Sequence, residues 1–445
     1  IISAFTATAT TQVKNDIIDM LKLQNPHSIV TGFDRKNLYF EVQKPNDKFT
    51  ALLKILERYK DSSCIIYCST RNNVEEVTLR LCNNGFLAAS YHAGMRDIDR
   101  NKNQDDFIYD RINIIVATNA FGMGIDKSDV SLVVHYNMPK NIESYYQEAG
   151  RAGRDGSNAE CILLYNGKDY QINKFLIEKS REENEELDPR LLDEIKKRDL
   201  KRLQQMTYYS TSSTCLREFI LQYFGEKAPH YCGNCSSCNN DYDDIDITID
   251  AQKIICCVIR AKNAGRTFGQ AMIADILHGS KNEKLINARM DKISTYGIMA
   301  DKSIKYIRLV MNYLIKNDYL SFEGLDYPTL SINPKSNDFL KNNKTLFMKM
   351  QKAEDVDSKI TNVKIHPVDE SLFGELKRLR SKIAHTISVP AYIIFADSSL
   401  RDMCQKLPKT REEFLNVSGV GEAKADKYGK QFIECISAYL ISAES

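Results

Sequence analysis

Between about Asn37 and Asp169 the chain alternates short apolar, β-branched runs with segments whose apolar residues recur every three or four positions. The runs are Cys64–Cys68, Leu87–Tyr91, Ile112–Ala117, Leu132–Tyr136 and Ala159–Tyr165. Strands separated by helical patterns predict a parallel, doubly wound α/β sheet. Ahead of it, Val13, Ile17, Ile18, Leu21 and Leu23 take helical spacing, followed by a short strand over Ser28–Thr31 and a linker. Behind it, residues 170–210 combine Lys, Glu and Arg with apolar residues at helical period, which predicts a helical hairpin. An acidic run, Asp241–Asp246, marks the next boundary.

The remaining pattern is mostly helical. Helices are expected over Ala251–Asn263, Phe268–Leu277, Lys284–Lys292 and Lys302–Asn317, then a hairpin of Leu320–Phe322 and Thr329–Ile332 around Gly324 and Pro328. Helices closed by a hairpin form a winged-helix pattern; no strand-prying aromatic is obvious at the hairpin tip, where Tyr327 is the one candidate and reads better as a turn-packing tyrosine. Lys341–Pro367 reads as a polar tether, and Asp369–Ala443 as a small all-α unit of five helices: Leu372–His385, Ala391–Ala396, Ser398–Lys406, Thr410–Leu415 and Ala423–Leu440. The resulting divisions are 1–36, 37–169, 170–245, 246–340, 341–367 and 368–445.

Composition narrows the class without choosing a function. With 445 residues, 43% hydrophobic and 27% charged, the chain has room for three or four domains with real cores. No run approaches a membrane span and no signal-peptide pattern opens the sequence. The net charge of +2 neither supports nor excludes a nucleic-acid partner, because phosphate contact needs local basicity. Twelve cysteines, scattered apart from one cluster, indicate a reducing compartment.

Two adjacent stretches carry phosphate chemistry. Tyr145–Gly156 reads Y-Y-Q-E-A-G-R-A-G-R-D-G, placing Arg151 and Arg154 among glycines with Gln147 just upstream. A planar, permanently charged guanidinium suits the charge that develops on a transferring phosphoryl group. Before it, Ile114–Asp126 is a β-rich run breaking into a loop with Thr118, Gly122, Gly124 and Asp126, the form of a strand delivering a phosphate-facing loop at its carboxyl end. The cysteine cluster is Cys215 at the start of an apolar helix and C-x2-C-x2-C at Cys232, Cys235 and Cys238. Four thiolates fit a closed, structural zinc site; an iron–sulfur cluster is the competing reading. His230 stands nearby as a solvent-facing histidine, while Cys256 and Cys257 belong to the core. Val417-Ser418-Gly419-Val420-Gly421 opens the last helix, where exposed amides at a positive dipole end suit a phosphate, with Lys424, Lys427, Lys377, Arg378 and Arg380 as sources of charge. A tight interhelical turn without ligand is the alternative.

In this order the motifs resemble the RecQ-type DNA helicases of helicase superfamily 2. Ser3–Ala9 (S-A-F-T-A-T-A) is similar to that family's motif III, Ile65–Arg71 (I-I-Y-C-S-T-R) with Tyr91–Met95 (Y-H-A-G-M) to motif IV and its satellite, and the two phosphate stretches to motifs V and VI. The four-cysteine module lies where the family carries zinc, Ser294–Ser303 resembles its winged-helix signature loop, and residues 368–445 resemble the helicase-and-RNaseD C-terminal (HRDC) domain. The resemblance implies a RecA-like second lobe, and a 3′-to-5′ DNA helicase driven by ATP and magnesium, active in DNA repair or recombination. It makes Arg154 an arginine finger with Arg151 beside it and Gln147 a relay of nucleotide state. Gly122, Gly124, Asp126 and Thr118 then couple nucleotide to the DNA backbone, with Arg71 and His92 touching the strand. It also implies a bacterial nucleoid or eukaryotic nuclear setting. Neither G-x-x-x-x-G-K-[ST] nor an acidic D-E-x-H strand end is present: Gly167-Lys168 and Gly429-Lys430 precede Asp and Gln, and Asp193-Glu194 sits in a helical pattern. The chain is therefore expected to be a fragment holding only the end of a first lobe, without ATPase activity alone. A non-catalytic DNA-binding or strand-annealing protein is the rival reading, and an RNA helicase a second.

Overall fold

Alternation within single strands explains how the sheet is buried on both faces. The computed structural model describes the chain apart from residues 1–2, 7, 61, 123–126, 183–187, 213, 240–241, 324–328, 343, 352–368, 388 and 445. In the strand Ser63–Tyr67, Ile65 and Tyr67 enter one core, while Cys64 and Ile66 enter a second on the opposite face. The neighbouring strands repeat this division, as expected for a parallel sheet covered on both sides.

The lobe begins with α1 (Thr11–Met20) and continues β1 (Leu38–Gln43), α2 (Lys48–Leu56), β2 (Ser63–Tyr67), α3 (Arg71–Asn83), β3 (Ala88–Tyr91), α4 (Asp97–Ile108), β4 (Ile114–Ala117), β5 (Val130–His135), α5 (Ile142–Ala149) and β6 (Ala159–Leu164). The six strands are parallel in the order β1-β6-β5-β2-β4-β3. Helices α2 and α3 cover one face through Leu52, Ile55, Val74 and Leu81. The other face is covered by Phe107 of α4 and by Ile142, Tyr145 and Ala149 of α5. The predicted doubly wound sheet is present, with one added strand. Leu38–Gln43 (L-Y-F-E-V-Q) forms the edge strand β1, paired from Leu38↔Ala159 to Gln43↔Leu164. Its period-two alternation is visible in the sequence. By contrast, Ser28–Thr31 is not a strand: Ile29 is 76% exposed, and the segment has no ladder partner among the described residues.

The helical hairpin is α6 (Gly167–Glu182) and α7 (Pro189–Thr211), leading into α8 (Leu216–Tyr223) and the short α9 (Ser236–Asn239). The sheet's core runs on without interruption through Leu203, Met206, Tyr209, Leu216, Ile220 and Cys235. Arg217 of α8 is 6% exposed and donates to the Asp34 carboxylate and to the Arg35 and Leu38 carbonyls. Phe33 stacks on Phe224 at 4.4 Å, and the cysteine loop adds a bridge between Phe40 and Cys235. The cysteine module is thus built onto β1.

Residues 240–358 form a separate compact unit. It contains β7 (Tyr242–Asp246), α10 (Thr248–Asn263), α11 (Gln270–His278), α12 (Glu283–Asn287), α13 (Ile304–Lys316), β8 (Leu320–Glu323), β9 (Thr329–Ile332), α14 (Pro334–Lys341) and β10 (Phe347–Gln351). Helices and hairpin match the winged-helix expectation, except that the third helix stops early, with Arg289 at φ 58°. Tyr327 and the hairpin tip lie outside the described residues. Two stretches read as boundary and tether turn out to be strands: β7 and β10 pair antiparallel, with Ile245 opposite Met348 and Met348 3% exposed. Neither strand has enough apolar residues to announce itself; each is specified by the other.

The carboxyl-terminal residues pack with the first unit. They form α15 (Glu370–Thr386), α16 (Ala391–Ile394), α17 (Asp397–Lys406), α18 (Arg411–Leu415), α19 (Glu422–Lys424) and α20 (Lys430–Glu444) around Leu376, Phe395, Phe414 and Phe432. The last predicted helix is divided by a π-helical turn, Ala425–Gly429, where Gly429 lets the chain close on Phe414. Among the described residues no helix is long and apolar enough to cross a membrane.

Candidate functional site

The two-arginine loop emerges from α5, whose amino end is capped by Asn141 accepting from Ser144 N–H at 2.8 Å. After Gly150 the chain turns at Gly153 (φ +54°) and Gly156 (φ +85°). A Cβ on Gly153 would lie 2.5 Å from both Asn37 Nδ2 and the Ser157 carbonyl. Those neighbours are what hold the loop. Arg35 Nη2 donates to the Gly153 and Ala152 carbonyls at 2.7 and 3.1 Å, and Asn37 Nδ2 to the Gly153 and Ser157 carbonyls at 2.9 and 2.8 Å. Neither residue was singled out by its sequence, because both lie in a linker more than a hundred positions upstream; what marks them is a polar donor pair beside an apolar strand.

The loop's side chains have different surroundings. Gln147 donates to the Thr8 hydroxyl, joining the segment that resembles motif VI to the one that resembles motif III. Arg151 donates from Nη1 to the Gly122 carbonyl at 2.7 Å, joining it to motif V. Arg154 is exposed. The Asp155 carboxylate accepts from the Ser157 amide at 3.0 Å and from its hydroxyl at 2.8 Å, which occupies both oxygens. Glu148 pairs with His135 at 2.9 Å in the interior, and His135 stacks on Tyr67, whose hydroxyl donates to the Phe121 carbonyl. Burial raises the Tyr67 hydroxyl well above its usual range, with Arg151 opposing, so it remains a donor.

Gly122 has φ +139°, and a Cβ there would lie 2.0 Å from Arg151 Nη2. Gly122→Ala should therefore displace the guanidinium and cost about 1–3 kcal/mol in urea unfolding of this chain. Arg151→Ala removes the clash, so the double variant should be measurably less destabilised than the sum of the single ones. Strict additivity would show that the two residues do not meet. Gly124 and Asp126 lie outside the described residues.

Three adjacent strands, β2, β4 and β3, bring the other candidates to one edge. Arg71 begins α3 just after β2, and its side chain is exposed; Thr70 caps that helix by accepting from Asn73 N–H at 3.2 Å. Thr118 follows β4, and its hydroxyl accepts from the Ala120 amide at 3.4 Å. His92 follows β3 and is 7% exposed, with Nε2 2.7 Å from Glu75 and Nδ1 accepting from Gly94 N–H at 3.1 Å. Both ring nitrogens are engaged within the protein. His92 therefore shapes the loop against which Arg71 lies. A cleft of about 230 Å³ opens at this carboxyl edge, lined in part by Ser69, Asn119, Asn137, Lys140 and Ser144.

The glycine turn of the carboxyl-terminal domain is closed on itself. Gly419 takes φ +77°, with Ser399 Oγ 2.5 Å from its would-be Cβ, and Gly421 stands at the start of the helix that continues through the π turn to Glu444. The Ser418 amide donates to the Asp402 carboxylate at 2.7 Å and the Val420 amide to the Val417 carbonyl at 3.1 Å. Lys424 lies over the Phe395 ring at 5.8 Å, and partial burial lowers its ammonium below its usual range. An internal carboxylate already takes the turn's first amide. A phosphate bound at Gly419, Gly421 and Lys424 would have to use the turn's other amides.

The four cysteines converge. Sγ atoms of Cys215, Cys232, Cys235 and Cys238 lie within 4.8 Å of one another, with Cys232–Cys238 at 3.9 Å and Cys235–Cys215 at 4.0 Å. A tetrahedron with zinc–sulfur bonds of about 2.3 Å has edges of about 3.8 Å, so the cluster fits zinc. Hydrogen bonds shared among the three thiols hold Cys232 far below its usual range and push Cys215 and Cys235 above theirs, the mark of sulfurs packed as closely as a common metal requires. His230 is 94% exposed and pairs with Glu218 at 2.5 Å, outside the ligand set.

Four family models match successive stretches of the chain: the helicase conserved C-terminal domain over residues 47–156, the RecQ zinc-binding model over 167–239, the RQC domain over 241–357 and the HRDC domain over 369–436. The ATP-dependent DNA helicase RecQ of Bacillus subtilis (strain 168) is 38% identical over 440 residues, covering 99% of this chain and 71% of the relative. That of Haemophilus influenzae is 35% identical over 444 residues, covering 98% and 69%. The RecQ-like DNA helicase BLM of Xenopus laevis is 30% identical over 471 residues, covering 98% of this chain and 34% of its own length. The parallel lobe with its arginine loop, followed by a four-cysteine module and a winged helix, is therefore a helicase-type carboxyl-terminal motor lobe with its accessory domains. The chain belongs to the RecQ family of helicases.

Proposed function

We propose that this chain supplies the second motor lobe and the DNA-binding modules of an ATP-dependent 3′-to-5′ DNA helicase acting in repair or recombination. The observation that carries the reading is the connected set Thr8–Gln147 and Arg151–Gly122, which ties segments resembling motifs III, V and VI together around the exposed Arg154. A protein that only binds DNA needs no such linkage. In the assembled motor Arg154 stabilises charge developing on the γ-phosphate, Arg151 transmits its position to Gly122, and Gln147 reports through Thr8 on the other lobe. Arg71 and Thr118, one edge away, hold the strand. Closure on ATP and opening after hydrolysis then move the lobes along DNA. ATP and magnesium bind with phosphate-cradling and acidic residues that this sequence does not contain. The four cysteines hold a structural zinc, which closes the loop and supplies no reacting group. DNA, in place of RNA, follows from the relatives' descriptions together with the winged-helix module.

The test is direct. Given ATP, magnesium and single-stranded DNA, the chain alone is expected to release no phosphate above the buffer rate while still shifting the anisotropy of a labelled oligonucleotide. DNA-stimulated phosphate release by this chain would sink the assignment of hydrolysis to residues outside it. Failure to bind any oligonucleotide would remove the DNA-engaging role.

A further inference from the structure

The segment that leads into β1 is gripped from two sides. One grip comes from the cysteine module. Asn234 lies between Cys232 and Cys235, its own amide donating to the Cys232 sulfur at 3.3 Å, and its Nδ2 donates to the Lys36 and Leu38 carbonyls at 3.0 and 3.2 Å. Arg217 lies in the first turn of α8, which Cys215 caps by accepting from the Glu218 amide at 3.4 Å. Its guanidinium donates to the Asp34 carboxylate at 2.8 Å, to the Arg35 carbonyl at 2.6 Å and to the Leu38 carbonyl. The other grip is on the two-arginine loop. Arg35 donates to the carbonyls of Gly150, Ala152 and Gly153, and Asn37 to those of Gly153 and Ser157. Main-chain oxygens of residues 35, 36 and 38 thus serve the module, while the side chains of residues 35 and 37 serve the loop. We infer that Arg217 and Asn234 are positioning residues for the motor: anchored beside the cysteine ligands, they fix the backbone of residues 34–38, through which Arg35 and Asn37 set the place of Arg154. The inference rests on the reading of Arg154 as the arginine finger.

The path is short and has little slack. Leu38, Phe40, Cys215 and Cys235 share one core with Ala149 and Ala152, so module, strand and loop are packed together. A guanidinium spread over three carbonyls cannot turn without giving up bonds. Gly153 lies so close to Asn37 that a Cβ there would meet Nδ2 at 2.5 Å, so a shift of the linker is passed to the loop instead of being absorbed. Such a shift is costly, because misplacing a catalytic group by about 1 Å lowers a rate by about 10²-fold. Arg151 takes its bearing separately, from the Gly122 carbonyl. The loop is therefore placed both by the segment resembling motif V and by the cysteine module.

Asn234→Ala removes both donations to the linker and leaves every thiol in place. The variant chain is expected to keep its zinc by elemental analysis, while the amides of residues 150–157 exchange faster by on the order of ten-fold. In a protein that joins this chain to an ATP-binding lobe, kcat should fall by about 10-fold to 10²-fold with the KM for ATP within a few-fold, the pattern of an interaction felt only in the transition state. Turnover is counted per bound zinc, so that metal loss cannot imitate the effect. Arg217→Lys, whose point charge cannot serve three acceptors at once, should act in the same direction. His230→Ala, at a position 94% exposed whose partner is Glu218, should change none of these readings. The inference is overturned if kcat per zinc is unchanged in both Asn234→Ala and Arg217→Lys, or if faster exchange is confined to residues 33–38 and 231–239, which would make Asn234 a brace of its own module. If Arg154→Ala itself leaves turnover near normal, the arginine-finger reading falls and takes this inference with it, so the two failures are told apart.

Discussion

Replacing Arg154 by alanine in a protein that joins this chain to an ATP-binding lobe is expected to lower turnover by about 10³-fold or more. ATP and DNA affinities should stay within a few-fold of normal. The loop's architecture is the reason for separating these effects. Its backbone is fixed by Arg35 and Asn37 on the carbonyls of Gly150, Ala152, Gly153 and Ser157, and by Asp155 closing on Ser157, none of which uses the Arg154 side chain. Removing the Arg154 guanidinium leaves those backbone-directed hydrogen bonds in place and deletes charge stabilisation where it develops. Lysine should rescue poorly, since a point charge lacks the planar fork. Steady-state turnover with nucleotide titration and a melting curve decide the matter. Near-normal turnover would remove Arg154 from the mechanism, and lost stability together with lost DNA affinity would make it a loop-holding residue. Arg35→Ala provides the contrast: it should loosen the loop and lower the melting temperature along with turnover.

Cys235→Ser is expected to deplete bound zinc and to collapse the folded yield of the chain. Zinc binding by such loops is worth about 10–16 kcal/mol at neutral pH and is inseparable from folding. Cys235 is fully buried and bridges to Phe40 of β1, so the damage should reach the edge of the sheet. Limited proteolysis should open the chain near residues 33–43 as well as in the cysteine loop, because Arg217 and Asn234 hold that segment from the module's side. Elemental analysis giving iron with sulfide, or well-folded protein without metal, would overturn the assignment. Cys257→Ser, at a buried cysteine of the 240–358 unit that is not in the cluster, should leave zinc content unchanged.

Strands β2 to β6, the helices on both sheet faces, the C-x2-C-x2-C module with Cys215 and the winged-helix hairpin were all legible, because each rests on a local period or a fixed spacing. Ile65 and Ile66 face opposite ways by the geometry of a strand alone. Arg151 and Arg154 stood out as candidates for phosphate chemistry because their glycine-flanked pair follows a strand that breaks into a glycine loop, two motifs in tandem. Their partners within the fold were not legible. It took the packed structure to tie Arg151 to the Gly122 carbonyl and leave Arg154 exposed. His92 and the Gly419–Gly421 turn show the limit from the other side, since a histidine or a glycine turn of the right type carries no mark of whether its nitrogens will be taken by Glu75 and Gly94, or by Asp402. Arg35 and Asn37 in an unremarkable linker, and β7 with β10 in a boundary and a tether, depended on partners more than a hundred residues away. The sequence by itself determined whatever is encoded within one helical turn, one strand or one ligand spacing. Tertiary structure decided every hydrogen bond between distant segments, because a donor's value depends on whether folding buries it beside an acceptor or leaves it to water.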